Sequence, residues 1–138
     1  MRLSHLLGIV LWAVCGVSYA QFEADLKIYG SDTVGEELAP ALVKKWLQKQ
    51  GYSEITEKRQ EMEHLFTGIN RAGKPLSVGL DARGSSTGFK ALESESAHIG
   101  MSSRPIKASE VSALKKFGRC DTAACEYVIG LDGIAVIV

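Results

Sequence analysis

The segment Ala82-Arg83-Gly84-Ser85-Ser86-Thr87-Gly88 sets two glycines around three consecutive hydroxyl side chains. An alternating apolar run, Leu76, Val78 and Leu80, leads into it, and a helix-type segment from about Phe89 to Ala97 leads out. A turn of that composition between a strand and a helix aims several backbone N–H groups the same way, at the positive end of the helix dipole. It is a seat for a small oxyanion. Gly30-Ser31-Asp32-Thr33-Val34 and Met101-Ser102-Ser103-Arg104 are segments of the same kind. The candidate ligand-binding residues are therefore Ser31, Asp32, Thr33, Val34, Gly84, Ser85, Ser86, Thr87, Ser102, Ser103 and Arg104. Hydroxyls and amides donate without adding charge, and their bonds to an ion strengthen where water is excluded. Three such seats converging on one cleft make an anion receptor. Kept apart, the same hydroxyls only cap helices.

Other chemistries fit these residues less well. Gly84-Ser85-Ser86-Thr87-Gly88 satisfies G-x-S-x-G in the strand–turn–helix setting of a nucleophile elbow. That hydrolase order needs an acid and then a histidine after the serine. The only later histidine is His98, and Asp121 and Asp132 follow it rather than precede it. A serine without a base is a poor nucleophile near neutral pH, so no catalytic residue is assigned and no enzyme is expected. The run from Gly68 to Lys74 approaches a nucleotide P-loop. However, Pro75 stands where Ser or Thr should hold magnesium, and a strand follows where a helix should. Arg104 and Arg83 suit either an anion or a surface ion pair. Asp32 suits either the proton of HPO4(2−) or an N-cap. His64 and His98 read as structural.

The elements that must position these residues alternate. Leu26 to Tyr29 is a short strand, followed by the Gly30 turn and a helix over about Val34 to Gln50. Val34, Leu38, Leu42, Val43, Trp46 and Leu47 fall on one face of that helix. Asp32 or Thr33 caps its start, and Gly51 ends it. Residues 54–70 carry both helical and strand spacings. The turn at Asn70 to Pro75, followed by a strand over 76–80, favours a hairpin and hence a strand over 61–69. A strand at 98–101 follows the second helix. A helix over 108–117 has Val111, Leu114 and Phe117 inward, and a final buried strand spans 127–138. The pattern is α/β, a mixed sheet flanked by helices, and all three hydroxyl-rich segments lie at the carboxyl ends of strands, where open α/β sheets bind ligands.

The termini and composition bound the setting. Arg2, an apolar core from Leu6 to Val17 and Ser18-Tyr19-Ala20 read as a secretory signal peptide over residues 1–20, with an uncleaved membrane anchor as the alternative. It predicts export to the periplasm, with no membrane insertion after cleavage. Cys15 raises a lipobox reading, but Val14 stands where that motif has a small residue. With 16 basic and 16 acidic side chains the chain has no net charge, so no nucleic-acid partner is expected. No cofactor is implied. Cys120 and Cys125 allow a short-loop disulfide in an oxidising compartment. Their spacing with His64 or His98 is poor for a metal, and none is assigned. Ending inside an apolar β-type run, residues 21–138 look like a domain truncated at its C-terminus.

Taken in order, these segments resemble the periplasmic phosphate-binding proteins of phosphate ABC transporters. The match runs through Ile28 to Val34, Ala82 to Phe89, Ile99 to Ile106, and Ile129 to Val138. It covers nearly all of residues 26–138. The resemblance implies a type II periplasmic-binding-protein fold, of which this chain holds the first lobe only. It implies inorganic phosphate or a related oxyanion as ligand, and an ABC permease as partner. Thr33 and Val34 would offer the first helix's hydroxyl and amide, Ser85, Ser86 and Thr87 the second's, and Ser102 and Ser103 the end of the third strand. Well-known members often carry Asp where Ser103 stands, which puts selection of phosphate over sulfate in question here. The alternative function is a cell-envelope binding or sensing protein that reuses the fold, with a wall-binding domain beyond residue 138.

Overall fold

Five strands form one mixed sheet in the order β2-β3-β4-β1-β5. The structure, a computed structural model, describes residues 23–131. The signal-peptide reading and Cys15 lie outside that range. In chain order the elements are β1 (Leu26–Gly30), α1 (Asp32–Glu36), α2 (Leu38–Lys49), β2 (Ser53–Gln60), β3 (Glu63–Ile69) and β4 (Pro75–Asp81). Then come α3 (Ser85–Glu93), β5 (Ile99–Met101), α4 (Ala108–Ala113) and a 3-10 turn (Lys115–Phe117). β4, β1 and β5 run parallel, while β2 and β3 extend the sheet as an antiparallel pair. The fold is α/β with helices flanking the sheet, as expected from the sequence.

Alternation along β1 shows how the two faces are filled. Ile28 joins a cluster built from Val43 and Leu47 of α2, Phe66 of β3, Val78 and Leu80 of β4 and Met101 of β5. Its neighbour Tyr29 packs with Ala91 of α3 and with Ala97. Phe66 is fully buried under α2. Phe66→Ala should cost about 3–5 kcal/mol of stability, the usual cost of an unfilled aromatic site, read as a lower urea midpoint with an unchanged slope.

Several boundaries differ from those the sequence suggests. The first helix is two, broken at Glu37. Pro40 has no N–H to offer the carbonyl of Glu36, and its ring crowds that carbonyl, so α2 must start afresh. The N-cap is Ser31, whose Oγ accepts from the Val34 amide at 3.3 Å, rather than Asp32 or Thr33. Gly51 does end α2: with φ +82 it donates to the Gln48 carbonyl while Tyr52 N–H reaches Leu47 O, a Schellman closure. The expected inward face is only half right. Ala39, Pro40, Val43 and Leu47 are buried, whereas Leu38, Leu42 and Trp46 are 40–47% exposed.

The hairpin of β3 and β4 matches the expected strands. The second half of the ambiguous region is therefore strand, and its first half is β2, an edge strand whose side chains are almost all exposed. Helix α3 follows the Gly84 turn from Ser85, as expected, but stops at Glu93 instead of Ala97. Helix α4 is shorter than 108–117; Leu114 is buried, but Phe117 is half exposed. The final strand is not observed over its described part. Residues 127–131 have no regular structure, and Tyr127 and Leu131 are 80% and 97% exposed. A run that reads as buried has no sheet neighbour here; residues 132–138 lie outside the described range. Cys120 and Cys125 are joined by a disulfide, Cα to Cα 4.7 Å.

Candidate anion seat at the strand ends

β1, β4 and β5 lie side by side and parallel, so their carboxyl ends come out together. The three loops that leave them are stitched to one another. The Ser31 amide donates to Met101 O at 3.0 Å, and the Gly84 amide to Gly30 O at 2.7 Å. The Ser103 amide donates to Ser85 Oγ at 3.2 Å, with the two hydroxyl oxygens 3.4 Å apart. Two glycines permit this closeness. Gly30 has φ +143, and a Cβ there would sit 2.1 Å from Met101 O. A Cβ on Gly88 would sit 2.6 Å from Tyr29 O, so α3 can lie against the end of β1 only without one.

Within the seat the donors divide into spent and open ones. At the start of α3, the Thr87 amide and hydroxyl both turn back to Gly84 O, at 3.0 and 2.7 Å. The amides of Ser85 and Ser86 have no acceptor among the described residues. Asp32 and Thr33 amides at the start of α1 are likewise open, while the Val34 amide is taken by Ser31. Ser31 itself is fully buried. Ser102 closes its own turn, accepting from Arg104 N and donating to Arg104 O at 2.6 Å. The sequence candidates thus fall into three groups. Ser85, Ser86, Ser103 and Arg104 touch one another. Ser31, Val34, Gly84, Thr87 and Ser102 build the frame, the Val34 amide being spent on Ser31 rather than open to a ligand. Asp32 and Thr33 stand exposed on the adjoining helix start.

The two arginines part company. Arg83 pairs with Glu63 and lies 3.0 Å from Asp81 Oδ1. That last contact is an ion pair without hydrogen-bond alignment, so the buried oxygen has no donor. Burial, ahead of the opposing pull of Arg83, raises the Asp81 carboxyl above its ordinary value. Arg104 stays at the seat. Its Nη2 donates to Ser86 Oγ at 3.0 Å, and its fork grips Glu110 through Nη2–Oε1 at 2.6 Å and Nη1–Oε2 at 2.9 Å. Phe89 lies beneath the guanidinium, 5.3 Å from ring centre to carbon. Glu110 and Phe89 were not among the sequence candidates. Nothing in local spacing links Arg104 to an acid on the next helix; only the turn at Pro105 brings them face to face.

The Arg104 hydrogen bonds hold the Glu110 carboxyl down to about 2 from its ordinary 4.5. A depressed folded-state value favours folding above the unfolded value and loses that contribution as pH falls through the folded one. Glu110 should therefore stabilise the fold fully above about pH 4.5 and progressively less down to about pH 2. Glu110→Gln should flatten that part of the acid-unfolding curve, followed by circular dichroism, and leave its shape above pH 5 unchanged.

Comparison of the chain with protein-family models, with curated proteins and with solved structures finds no match. A groove of about 320 Å³ between α3 and α4 opens beside Ser86, lined also by Phe89, Lys90, Lys107 and Glu110. A wider depression of about 490 Å³, at Lys49, Gly51 and Arg71, lies at the opposite end of the sheet and shares no residue with the seat. The two histidines among the described residues are engaged elsewhere. His98 Nδ1 accepts from Lys27 N–H at 2.9 Å, and His64 Nδ1 meets Glu57 at 2.7 Å. Ser86 Oγ accepts from the Arg104 guanidinium.

Proposed function

We propose that this chain is the first lobe of an exported solute-binding protein of the type II periplasmic kind, which captures phosphate or a related oxyanion without covalent chemistry. Delivery to an ABC permease in the bacterial envelope follows from the same reading. The observation that carries it is the stitching of three hydroxyl-bearing loops at adjacent parallel strand ends, through Ser31–Met101, Gly84–Gly30 and Ser103–Ser85. It groups open amides and hydroxyls beside a guanidinium, Arg104, that is already paired with Glu110. Such donors recognise an ion by direction and count, which suits a tetrahedral oxyanion. The order of the four segments, which resembles that of phosphate-binding proteins, supports the same conclusion. Closure of a second lobe over the seat would exclude water and tighten binding; this lobe alone should bind weakly. Ser103 cannot accept a proton's hydrogen bond with the help of a charge, so discrimination against sulfate falls to Asp32. Calorimetry with phosphate, sulfate, molybdate and tungstate tests the reading. Saturable heat with at least one is expected, and none with all four would overturn it.

A further inference from the structure

We propose that Glu110 is a positioning residue of the anion seat, which acts through Arg104 to aim the Ser86 hydroxyl at the ligand. This rests on the reading of the seat given above and assigns a role to a residue on a different helix.

A guanidinium has five N–H bonds. In Arg104, Nη1 donates to Pro105 O at 2.9 Å and to Glu110 Oε2. Nη2 donates to Glu110 Oε1 and to Ser86 Oγ. Four of the five are committed, and the charge is already balanced by a carboxylate gripped on both oxygens. Arg104 thus has little left to give an anion directly. What it does give is a proton to Ser86 Oγ. A hydroxyl that accepts along one lone pair turns its own O–H away from that donor, which leaves the Ser86 proton for a ligand. The guanidinium therefore converts Ser86 from a free rotor into an oriented donor, polarised by a charge it does not place on the ligand.

Glu110 sets the orientation. Its Oε2 also accepts from the Lys107 amide at 2.8 Å, which ties the carboxylate to the first turn of α4. The bidentate pairing leaves only one way for Nη2 to face Ser86, and the Phe89 ring supports the plane from below. A lysine at position 104 would keep the charge but lose the fork.

A double-mutant cycle on phosphate affinity of the full chain tests this. Glu110→Gln and Arg104→Lys should each weaken phosphate binding about fivefold, within the range of couplings for groups in one network. In a Ser86→Ala background each should change it less than about 1.5-fold, because the hydroxyl they aim is gone. Arg104→Lys carries the test where Glu110→Gln fails to fold by circular dichroism. Equal losses in both backgrounds would overturn the inference, whether they came from a purely structural role or from Arg104 contacting the anion itself. That outcome would leave the phosphate reading intact. A wild-type chain that bound no oxyanion would remove the reading and this inference together, and so is told apart from it.

Discussion

Replacing Ser86 and Thr87 together by alanine is expected to weaken phosphate binding at least about tenfold, equivalent to roughly 1.4 kcal/mol. The loss should fall mainly on Ser86. Thr87 Oγ1 already donates its proton to Gly84 O at 2.7 Å, so removing it frays the helix start but takes no proton from the ligand. Ser86 stands one position earlier, its oxygen filled by Arg104 and its proton unassigned. A hydrogen bond to a charged group contributes about 1.5–3 kcal/mol, and one such bond covers the expected loss. Calorimetric titration of Ser86→Ala, Thr87→Ala and the double variant resolves the two contributions. The single Ser86 change should reproduce most of the double effect. A Thr87→Ala loss larger than that of Ser86→Ala would contradict the assignment of open and spent donors.

A large stability effect is expected at Gly30. Gly30→Ala should destabilise the fold by at least about 3 kcal/mol, the sum of a strained positive φ and an overpacked contact. The new Cβ would lie 2.1 Å from Met101 O and 2.9 Å from Met101 C and N. Those are backbone atoms of β5, paired to β1 through Gly30 itself, so no side chain can swing aside. Relief requires parting β1 from β5, which unlaces the Ser31–Met101 bond and opens the seat. Gly73 supplies the contrast. Its φ is +75, yet a Cβ there meets nothing within 4 Å, so Gly73→Ala should cost only the local strain of about 1–2 kcal/mol. Urea denaturation of both variants checks the pair. Similar losses at the two positions would show that close approach at the strand ends is not what Gly30 secures.

The elements with a strong local signature were legible in the sequence. The β1 turn, the Gly51 closure of α2, the β3–β4 hairpin and the three hydroxyl-rich segments announce themselves by residue types that permit few backbone conformations. What was not legible depended on neighbours distant in sequence. The helix face including Leu38, Leu42 and Trp46 has a periodicity that fits two adjacent stripes. Only packing against Phe66 and Val78 selects the Val43–Leu47 side. β2 hides because an edge strand can carry Glu, Lys, Arg and Gln on both faces, which erases alternation. Residues 127–131 show the reverse error: apolar composition predicts burial only if something is there to cover it.

For the site, residue types identified the loops but not the division of labour within them. Whether a serine caps a helix or faces a ligand turns on hydrogen bonds across loops. Ser31 and Ser86 have the same chemistry; one is buried under a helix start and the other is held by a guanidinium. Glu110 escaped notice because its partner lies on the preceding loop rather than one turn away along a helix.

An amide-resolved NMR titration with inorganic phosphate decides whether donors from separate loops meet around one ion. The amides of Thr33, Ser85, Ser86 and Ser103 should shift together along a single saturable isotherm, with Lys49, Gly51 and Arg71 unmoved. Shifts confined to that second, basic depression, or isotherms that differ from loop to loop, would contradict it.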